Sequence, residues 1–242
     1  MSATATVRVD ADGGVARITL DRPDRRNALT GPVVDELLDA VRATRDDTRV
    51  LLLAGAGRHL CAGLDLDAFN VDPPPPWRAG FAARWAELHV ELWADPRPLV
   101  VAHTGAAVGA GSALVFAGDV VVSGRSAFAH VVEAAFGMLA PVNIAWLVAR
   151  HTPAVAAELA LLAERVDADG LLARRLVTEV VDDDGVLARA GERAERLAGF
   201  PRAAVAATRA AVRDLAGIDL ARLIADAQRH AATTGGPPRR DR

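Results

Sequence analysis

The stretch Val100–Gly124 reads VVAHTGAAVGAGSALVFAGDVVVSG and contains the pattern that decides the fold. An apolar run is followed by a glycine-rich bend at 105–111, a short helix of small residues, and a second apolar run. Short continuous apolar runs are typical of strands buried on both faces of a parallel sheet. The stretch therefore predicts a strand–helix–strand unit of an α/β protein, in which the bend joins the first strand to the helix.

The glycine bend does not match the common sequence patterns for phosphate binding or nucleophilic catalysis. A dinucleotide-binding fingerprint would require a third glycine where Leu114 stands. A Walker-type loop needs a lysine, and the chain contains none. Ser112 lies in Ala-Gly-Ser-Ala-Leu, not in the Gly-x-Ser-x-Gly of a nucleophile elbow, so we expect it to serve as a small helix-packing residue.

The bend nevertheless places the first turn of a helix next to small side chains. The free N–H groups of that turn and the helix dipole can bind a polarised carbonyl oxygen or an oxyanion as well as a phosphate. Small residues at Ala107 and Gly109–Gly111 would allow a ligand to approach the backbone closely. A tight turn without any ligand is the alternative that the bend, taken alone, leaves open.

A second turn of the same kind lies upstream, where Arg58–Leu66 (RHLCAGLDL) follows the short apolar strand Val50–Ala54. Gly63 would leave a backbone N–H accessible there. Two such turns could converge on one oxygen, and a single donor of this type typically contributes about 2.7–4 kcal/mol to transition-state stabilisation. Together the two turns predict a site that stabilises a negatively charged carbonyl oxygen.

The rest of the chain extends the α/β pattern. Thr4–Val9 and Val15–Leu20 alternate around a turn signal at 10–14 and predict a hairpin. Helical patterns, the first capped by Thr30, are predicted at 30–44, 78–93, 109–116, 142–150, 153–163, 168–175, 185–198, 201–215 and 220–231. We divide the chain into a core at 1–185 and a C-terminal helical oligomerisation segment with a loose tail at 186–242.

Composition and charge exclude several kinds of partner. The net charge of −3 and the absence of lysine argue against nucleic acid. No apolar stretch approaches the length of a membrane span, and the N-terminus has no apolar core of signal-peptide length. Cys61 is the single cysteine, which excludes an intrachain disulfide and fits a reducing compartment. We therefore expect a cytoplasmic protein that binds neither membrane nor nucleic acid and holds no metal.

The two turns resemble the two oxyanion segments of the crotonase (enoyl-CoA hydratase/isomerase) superfamily. The matching motifs are Cys-Ala-Gly-Leu-Asp-Leu at 61–66 and Gly-x-x-x-Gly-x-Gly at 105–111. Four further segments resemble the family in the same order: 18–29 (ITLDRPDRRNAL), 98–102 (PLVVA), 161–168 (LLAERVDA) and 176–181 (LVTEVV). Each motif is weak by itself, but their order and spacing over residues 5–215 identify the chain as a member of this superfamily.

The resemblance implies a fold, a substrate and an assembly. The fold would be a crotonase-type spiral of ββα units with a helical C-terminal segment, assembled as a homotrimer or a dimer of trimers. The substrate would be an acyl-CoA thioester, with no further cofactor, and the amides of Leu64 and Ala110 would hold its carbonyl oxygen. The residues that would contact the substrate or its CoA part are Arg22, Arg25, Arg26, Ala28, Ala62, Gly63, Asp65, Leu66 and Gly109, with the three arginines near the CoA phosphates or adenine. A solvated loop charge is the alternative for each arginine.

The chain departs from the family pattern at the first of the two glutamates with which hydratases of this family add water. Ala113 stands at that position, and a methyl group cannot transfer a proton. The second glutamate is expected four residues before a glycine, which selects Glu133 ahead of Gly137. A count from Phe128 places Val132 there instead, and a bulge of one residue would reconcile the two counts.

A single carboxylate favours isomerisation over hydration. Glu133 in an apolar pocket, with its pKa raised by burial, could remove a proton alpha to the thioester carbonyl and return it to the gamma carbon. We therefore predict an acyl-CoA enzyme that stabilises a thioester enolate and is more isomerase-like than a two-glutamate hydratase. The alternatives are an acyl-CoA-binding member without turnover and another enolate reaction, such as decarboxylation or thioester cleavage.

Other side chains are candidates for the acyl pocket or for proton transfer. The aromatic residues that could wall an acyl pocket are Trp77, Phe81, Trp85 and Phe136. Packing in the core is the alternative for all of them. The histidines that could transfer protons are His89, His103 and His130, with a structural or surface role as the alternative. No aspartate occurs at 140–143, where family dehalogenases carry their nucleophile, and Asn143 is the nearest polar residue.

Overall fold

The computed structural model describes residues 5–231 and 233–236, so the predicted strand start at Thr4 and the end of the tail lie outside the described residues. Its strands are β1 (Val7–Asp12), β2 (Val15–Leu20), β3 (Val50–Gly55), β4 (Leu99–His103), β5 (Ala106–Val108), β6 (Val120–Gly124), β7 (Phe128–His130), β8 (Arg165–Asp167) and β9 (Glu179–Val181). Its α-helices are α1 (Gly31–Ala43), α2 (Leu66–Phe69), α3 (Phe81–Ala94), α4 (Ala110–Ala117), α5 (Pro141–Arg150), α6 (Pro153–Leu162), α7 (Ala168–Ala173), α8 (Val186–Ala198), α9 (Arg202–Ala216) and α10 (Leu220–Ala231).

The larger sheet has the strand order β1-β2-β3-β4-β6-β9. β1 and β2 form an antiparallel hairpin, and every later pair of neighbours is parallel. Parallel neighbours need a crossover between them, and α1, α3 and α4 provide the first three crossovers. This arrangement explains why apolar strands alternate with helices along the first half of the chain.

A second layer of backbone pairing accompanies the larger sheet. It contains the three-stranded sheet β5-β7-β8, in which β5 and β7 are parallel. An isolated parallel bridge extends this pairing from Ala107 of β5 to Cys61, and another joins Leu29 to Leu64. The chain therefore repeats one unit, which consists of a strand of the larger sheet, a short segment of the second layer and a helix. The repeat is the spiral of ββα units that the sequence predicts.

Alternate residues of the central strands face two different helical layers. In β3, Leu51 and Leu53 belong to a core that includes residues of α1, α3 and α4, whereas Val50 and Leu52 belong to a core covered by α8. This period of two is that of a strand buried on both faces, which explains the continuously apolar sequence. Full burial of one such side chain contributes about 1.5–3 kcal/mol, so the layering is strongly specified.

Two of the C-terminal helices pack closely on the body of the protein. α8 buries Val186, Ala190 and Ala194 against the larger sheet. α10 packs against α5 and α3 and buries Leu220 and Ile224. The predicted division at residue 185 therefore falls between β9 and a helix that covers the same sheet.

α9 lies further from the body of the protein. Arg209 is the single buried residue of this helix, and its guanidinium donates to the carbonyl oxygens of Leu92 and Trp93 near the end of α3. A cavity of about 920 Å³ separates α9 from the residues below it. Val212 and Leu215 of α9 are 66% and 89% exposed. Val212 also lines this cavity, whereas Leu215 does not, and the role of the helix in oligomerisation stays a prediction.

Several local predictions differ from the structure. The hairpin turn is confined to Gly13–Gly14, because both glycines adopt positive φ (56° and 82°) and allow a two-residue turn. α3 begins at Phe81, since Arg78 is part of a preceding turn in which its N–H donates to Pro75 O. Thr30 is the N-cap of α1, but its side chain makes no capping hydrogen bond. β5 and β8 are too short to produce a sequence signal.

Candidate active site

The two predicted turns lie side by side because Cys61 and Ala107 are paired neighbours in the second layer. Val108 N donates to Cys61 O at 3.1 Å. Gly63 follows shortly after Cys61, just as Ala110 follows shortly after Ala107. A β-carbon added to Gly63 would lie 3.7 Å from Ala110 N. The structure therefore brings the two turns into direct contact.

The backbone N–H groups of Leu64 and Ala110 are not used by the regular pairing around them. Leu64 pairs with Leu29, but the hydrogen bonds of this pair are made by the residues on either side of Leu64. Leu29 N donates to Gly63 O at 2.7 Å, and Asp65 N donates to Leu29 O at 2.8 Å. In such parallel pairing the N–H of the middle residue points to the opposite side. Ala110 is the first residue of α4, where an N–H has no acceptor within the helix. Both amides are thus available to a ligand oxygen.

Two glycines make this close approach possible. Gly63 has a φ of 86°, and a β-carbon there would lie 2.5 Å from Val108 O, which is closer than real contacts allow. Gly109 has φ 53° and ψ −119°, a conformation that side-chain-bearing residues rarely adopt. Its N–H donates to His130 O at 2.8 Å. A side chain at either position would displace one of the two turns.

The carboxylate of Glu133 lies against the glycine bend. Glu133 opens a 3-10 turn at 133–136, and a β-carbon at Gly109 would be 3.2 Å from its Oε1. Oε2 is buried and has no hydrogen-bond partner among the described residues. Burial raises the pKa of Glu133, and backbone contributions at Val132 and Glu133 offset only part of that increase. A carboxylate in this state can accept a proton and later return it.

Both residues selected by the two sequence counts border the bend. A β-carbon at Gly109 would lie 3.8 Å from Val132 Cγ1, so Val132 supplies an apolar contact beside the carboxylate of Glu133. The 3-10 turn ends at Gly137, whose φ of 70° is left-handed. This turn interrupts the extended spacing after β7, and a count from Phe128 therefore disagrees with a count from Gly137.

A small apolar side chain occupies the position where a hydratase would carry its first glutamate. Ala113 is fully buried and carries no polar side-chain atom. Its neighbour Ser112 is also fully buried, and its Oγ donates to Ala107 O at 2.8 Å and accepts from His130 N at 3.2 Å. Ser112 therefore ties the bend to β7, a role that goes beyond the predicted helix packing.

Asp65 holds two of the three arginines that were predicted to contact CoA. Arg22 donates to Asp65 Oδ2 at 3.0 Å, and Arg25 donates to Oδ1 at 3.1 Å. The N–H of Ala68 also donates to Oδ1, at 3.1 Å. Burial by itself would raise the pKa of Asp65, but these hydrogen bonds outweigh it and hold the pKa below its ordinary value. Arg26 has a left-handed φ of 51° and is exposed.

The remaining residues predicted to contact CoA surround this network. Ala28 is buried, and its carbonyl oxygen accepts from Arg22. Ala62 N donates to Arg26 O at 3.0 Å, which joins the N-terminal loop to the second turn. Leu66 is half-buried and is the first residue of α2. The structure thus places these residues together around the second turn.

Asp65→Asn is expected to loosen the network around the second turn. Asparagine keeps the shape but removes the charge that two guanidinium groups share, so we expect the free energy of unfolding at pH 7 to fall by about 2 kcal/mol in urea denaturation. Because the folded-state pKa of Asp65 is lowered, the wild-type advantage should disappear as pH falls through that pKa. Asp67→Asn, at the exposed end of the same network, is the control. Equal losses in the two variants would contradict this account.

Two of the four aromatic candidates for the acyl pocket form one cluster. The rings of Trp77 and Phe81 lie 5.9 Å apart, and both contact Phe69, at 5.8 and 6.3 Å. Trp77 also packs on Gly31, where a β-carbon would come within 2.4 Å of the indole side chain. Phe69 ends α2, whose N-cap is Asp65, so this aromatic cluster (Phe69, Trp77 and Phe81) borders the second turn.

The other two aromatic candidates lie elsewhere. Trp85 is buried in the core, with its ring 4.3 Å from that of His89. Phe136 ends the 3-10 turn that begins with Glu133 and is 49% exposed. In the part of the chain that the structure describes, neither ring contacts the aromatic cluster. The structure therefore separates the four candidates into different environments.

The three candidate histidines make structural contacts. Trp146 Nε1 donates to His89 Nδ1 at 2.7 Å, and burial lowers the pKa of His89 to about 3. His103 is equally buried, and its pKa is lowered to about 4 for the same reason. His130 Nε2 lies 2.7 Å from Ala163 O. Both buried imidazoles are therefore neutral at physiological pH.

Two residues beside the site were not predicted, namely Phe69 and Asn143. Asn143 Nδ2 donates to Gly109 O at 3.0 Å and lies 3.4 Å from Glu133 Oε1. The first of these contacts spans 34 residues and results from the packing of α5 against α4. No local pattern reports such a contact. The only sequence signal for Asn143 is that it is the polar residue nearest the position where family dehalogenases carry their nucleophile.

The described part of the chain contains neither a membrane-spanning helix nor a cluster of metal ligands. Within 5–231 and 233–236, no helix combines the length and the apolar character needed to cross a membrane. Over the same ranges, no group of three or more His, Cys, Asp or Glu side chains could hold a metal ion. Cys61 is buried at the base of the second turn, and burial raises the pKa of its thiol to about 12. The thiol therefore stays protonated and unreactive at neutral pH.

The sequence matches known proteins over most of its length. A family model described as enoyl-CoA hydratase/isomerase matches residues 10–235. A "Probable enoyl-CoA hydratase" from Rhodobacter capsulatus is 32% identical over 212 residues, which is 85% of this chain and 80% of that protein. The 1,2-epoxyphenylacetyl-CoA isomerase of Escherichia coli is 38% identical over 162 residues. That match covers 64% of this chain and 62% of the isomerase, so it spans less than two thirds of either.

The fold matches solved structures over nearly the whole chain. An enoyl-CoA hydratase/isomerase from Xanthobacter autotrophicus has a TM-score of 0.86 at 28% identity, covering 95% of this chain and 87% of that one. A Thermobifida fusca protein in complex with CoA has a TM-score of 0.80 at 31% identity, covering 94% of this chain and 91% of that one. The fold predicted from the sequence is therefore confirmed.

Proposed function

The chain belongs to the enoyl-CoA hydratase/isomerase family, and from this membership we propose that it moves the double bond of an enoyl-CoA thioester. The observation that carries the proposal is one buried carboxylate, that of Glu133, lying against the same glycine bend that supplies a free backbone N–H. Enolate chemistry needs a base and an oxyanion donor close together, and here the base lies beside the bend that supplies the donor.

In the proposed reaction the thioester oxygen lies between the two turns. The N–H groups of Leu64 and Ala110 donate to it, and these two hydrogen bonds strengthen as negative charge builds up on the oxygen. Preorganised backbone donors of this kind need no rearrangement when the charge develops. The contact between Gly63 and the backbone at Val108 supports this role, because it holds the two turns in a fixed relation.

Glu133 then carries out both proton transfers. Its ionised carboxylate removes a proton from the carbon alpha to the thioester carbonyl, which breaks that C–H bond and forms a dienolate. The protonated carboxyl returns the proton to the gamma carbon, and the double bond moves from the β,γ to the α,β position. Burial of the carboxyl favours this role, because a raised pKa makes the group both a stronger base and a usable acid near neutral pH.

Isomerisation fits the site better than hydration does. A hydratase of this family would use two glutamates, and the first position is occupied by Ala113, which is buried and apolar. The candidate histidines are engaged in structural contacts and cannot replace the missing carboxylate. A single group that accepts and returns one proton is sufficient for moving a double bond.

The CoA part of the substrate is proposed to lie along the loop at 22–28. Asp65 orders this loop through its hydrogen bonds to Arg22 and Arg25. The side chain of Arg26 is exposed and is proposed to bind a phosphate of CoA. The loop is hydrogen-bonded to the second turn through Ala62, so the CoA and the thioester would contact one continuous surface. A structural relative from Thermobifida fusca is in complex with CoA.

A panel of thioesters tests the proposal. β,γ-Enoyl-CoA, α,β-enoyl-CoA and malonyl-CoA are each incubated with the protein, with both aliphatic and aryl acyl groups, and the products are analysed by mass spectrometry and NMR. We expect β,γ-enoyl-CoA to convert to the α,β isomer without a change in mass. Water addition at a comparable rate would contradict the single-base reaction.

Other results from the same panel would support the alternative functions. Tight binding of acyl-CoA in calorimetry with no turnover would support a binding protein, which the methyl group of Ala113 favours. Loss of carbon dioxide from malonyl-CoA or release of free CoA would support decarboxylation or thioester cleavage by the same enolate site. Each of these results would replace the isomerase proposal.

We propose assembly as a homotrimer or a dimer of trimers. The support is the exposed apolar side chains at and next to α9. Leu215 is 89% exposed, and Phe200 and Val212, which line the cavity beside this helix, are 44% and 66% exposed. Apolar patches of this kind are typical of surfaces that bind another protein. Light scattering should give a mass three or six times that of the 25.3 kDa chain. A monomeric mass at micromolar concentration would contradict the proposal.

A further inference from the structure

Asn143 connects the candidate base to the candidate oxyanion turn. Its side chain is 2% exposed, and its Nδ2 donates to Gly109 O at 3.0 Å and lies 3.4 Å from Glu133 Oε1. A carbonyl oxygen and a carboxylate oxygen are acceptors only, so the NH₂ group must face both of them. The orientation of the amide follows from this hydrogen bonding.

The contact with Asn143 distinguishes the two oxygens of Glu133. Oε1 faces the NH₂ group, whereas Oε2 is buried without a hydrogen-bond partner among the described residues. Asn143 Oδ1 is likewise buried without a partner in that part of the chain. Buried polar atoms are usually hydrogen-bonded, so an unpartnered one can mark a functional group. Oε2 is the carboxylate oxygen that Asn143 does not engage, which leaves it to face a substrate proton.

We propose that Asn143 is a positioning residue that fixes the carboxylate of Glu133 against the Gly109 bend and leaves Oε2 as the basic oxygen. The inference rests on the proposed function, since a base is useful only if the site forms an enolate. One amide group thereby holds both the base and the turn that contains Ala110. A misplacement of about 1 Å in such an arrangement can cost about 100-fold in rate.

The environment of Glu133 offers few other groups that could set its protonation. His130 of β7 bonds Ala163 O, Glu158 of α6 pairs with Arg174, and Arg150 of α5 pairs with Asp119. Segment 233–236, which reaches the 3-10 turn through a bond from Gly235 N to Gly137 O, contains no ionisable side chain. Burial raises the pKa of Glu133 and backbone hydrogen bonds at Glu133 and Val132 lower it, with no charged group of the described residues among the causes. The Asn143 NH₂ group is the side-chain donor that faces Oε1 of this carboxylate.

Asn143→Leu and Asn143→Gln test the inference by activity. Leucine has a similar volume but no donor, so we expect kcat for isomerisation to fall about 10- to 100-fold. Loss of a hydrogen bond to the carboxylate raises the pKa of the base, so the acid limb of the pH–rate profile should move up by about one pH unit. Glutamine retains the amide and should restore part of the rate and of the profile.

The control variant is Ser123→Ala, which removes a buried polar contact from Ser123 of β6 to His103 of β4. We expect it to lower thermal stability without moving the pH–rate profile, as a purely structural substitution should. If Asn143→Leu behaves like Ser123→Ala in kcat and in the profile, the inference is wrong.

A titration that needs no turnover separates this inference from the proposed function. The carboxyl carbon of Glu133 is followed by ¹³C NMR in the wild-type protein, with the signal assigned by its absence in Glu133→Gln. We expect a higher titration midpoint in Asn143→Leu than in wild type and an intermediate one in Asn143→Gln. An unchanged midpoint overturns the inference even if the enzyme is active, and a shifted midpoint supports it even if no thioester of the panel turns over.

Discussion

Replacing Glu133 by glutamine is expected to lower kcat for isomerisation by about 10²–10⁴-fold, the range that a positioned acid or base contributes. Glutamine has nearly the same shape, but its amide cannot take a proton from carbon at neutral pH. Because Oε2 of Glu133 makes no hydrogen bond with the described residues, an amide NH₂ group in its place breaks no contact with them. Binding of a saturated acyl-CoA, measured by calorimetry, should therefore remain within about threefold of wild type.

The matched control is Glu158→Gln on α6. Glu158 is a partly exposed carboxylate whose charge is paired with Arg174, so the same chemical change there should leave kcat unaltered. A Glu133→Gln variant that retains kcat within about threefold would show that another group moves the proton.

Gly63→Ala is expected to remove most of the activity by a different route. A β-carbon at this position would lie 2.5 Å from Val108 O, so the turn that contains Leu64 and the bend that contains Ala110 must move apart. Loss of one oxyanion donor typically costs about 10²–10³-fold in kcat. Steady-state kinetics should show this loss even though no side chain with acid–base chemistry has changed.

Gly13→Ala is the control that distinguishes the effect of backbone strain from the effect of losing an oxyanion donor. Gly13 also has a positive φ, of 56°, but a β-carbon there would meet nothing within 4 Å. The substitution should lower stability by about 1–2 kcal/mol, the cost of a left-handed alanine, and leave kcat unchanged. If Gly63→Ala loses stability to the same extent as Gly13→Ala but keeps its kcat, the two turns do not form the oxyanion site.

The fold could be predicted from the sequence because its main determinants are local. The apolar runs that include Leu51–Leu53 and Val100–Ala102 are strands buried on both faces, and that burial produces their continuous apolar pattern. β5 and β8 could not be predicted, since each has three residues and its pairing depends on strands far away in sequence.

The candidate site could be predicted where a turn requires a particular residue type. Gly63 and Gly109 have positive φ and face the backbone or side chain of a neighbouring segment, and such positions leave a visible glycine pattern. The sequence predicts that Arg22 contacts a ligand, and the structure also pairs it with Asp65, 43 residues away. That pairing depends on the folded loop, and no spacing rule reports it.

The aromatic residues show the same limit. Phe69 joins Trp77 and Phe81 because α2 and the start of α3 fold toward one another, although Phe69 lies in a short segment with no distinctive pattern. Phe136 has the same aromatic character as the other candidates for the acyl pocket, but the 3-10 turn leaves it half exposed. Composition can nominate such residues, and only tertiary packing decides between them.

The central claim is that one carboxylate removes an alpha proton from a thioester and returns it to the gamma carbon. The most direct test uses a β,γ-enoyl-CoA that is deuterated at both alpha positions, with the isomerised product analysed by NMR. The account predicts that deuterium appears at the gamma carbon with the wild-type protein and that this transfer disappears in Glu133→Gln. Recovery of thioester with all of its deuterium still at the alpha carbon would contradict the account.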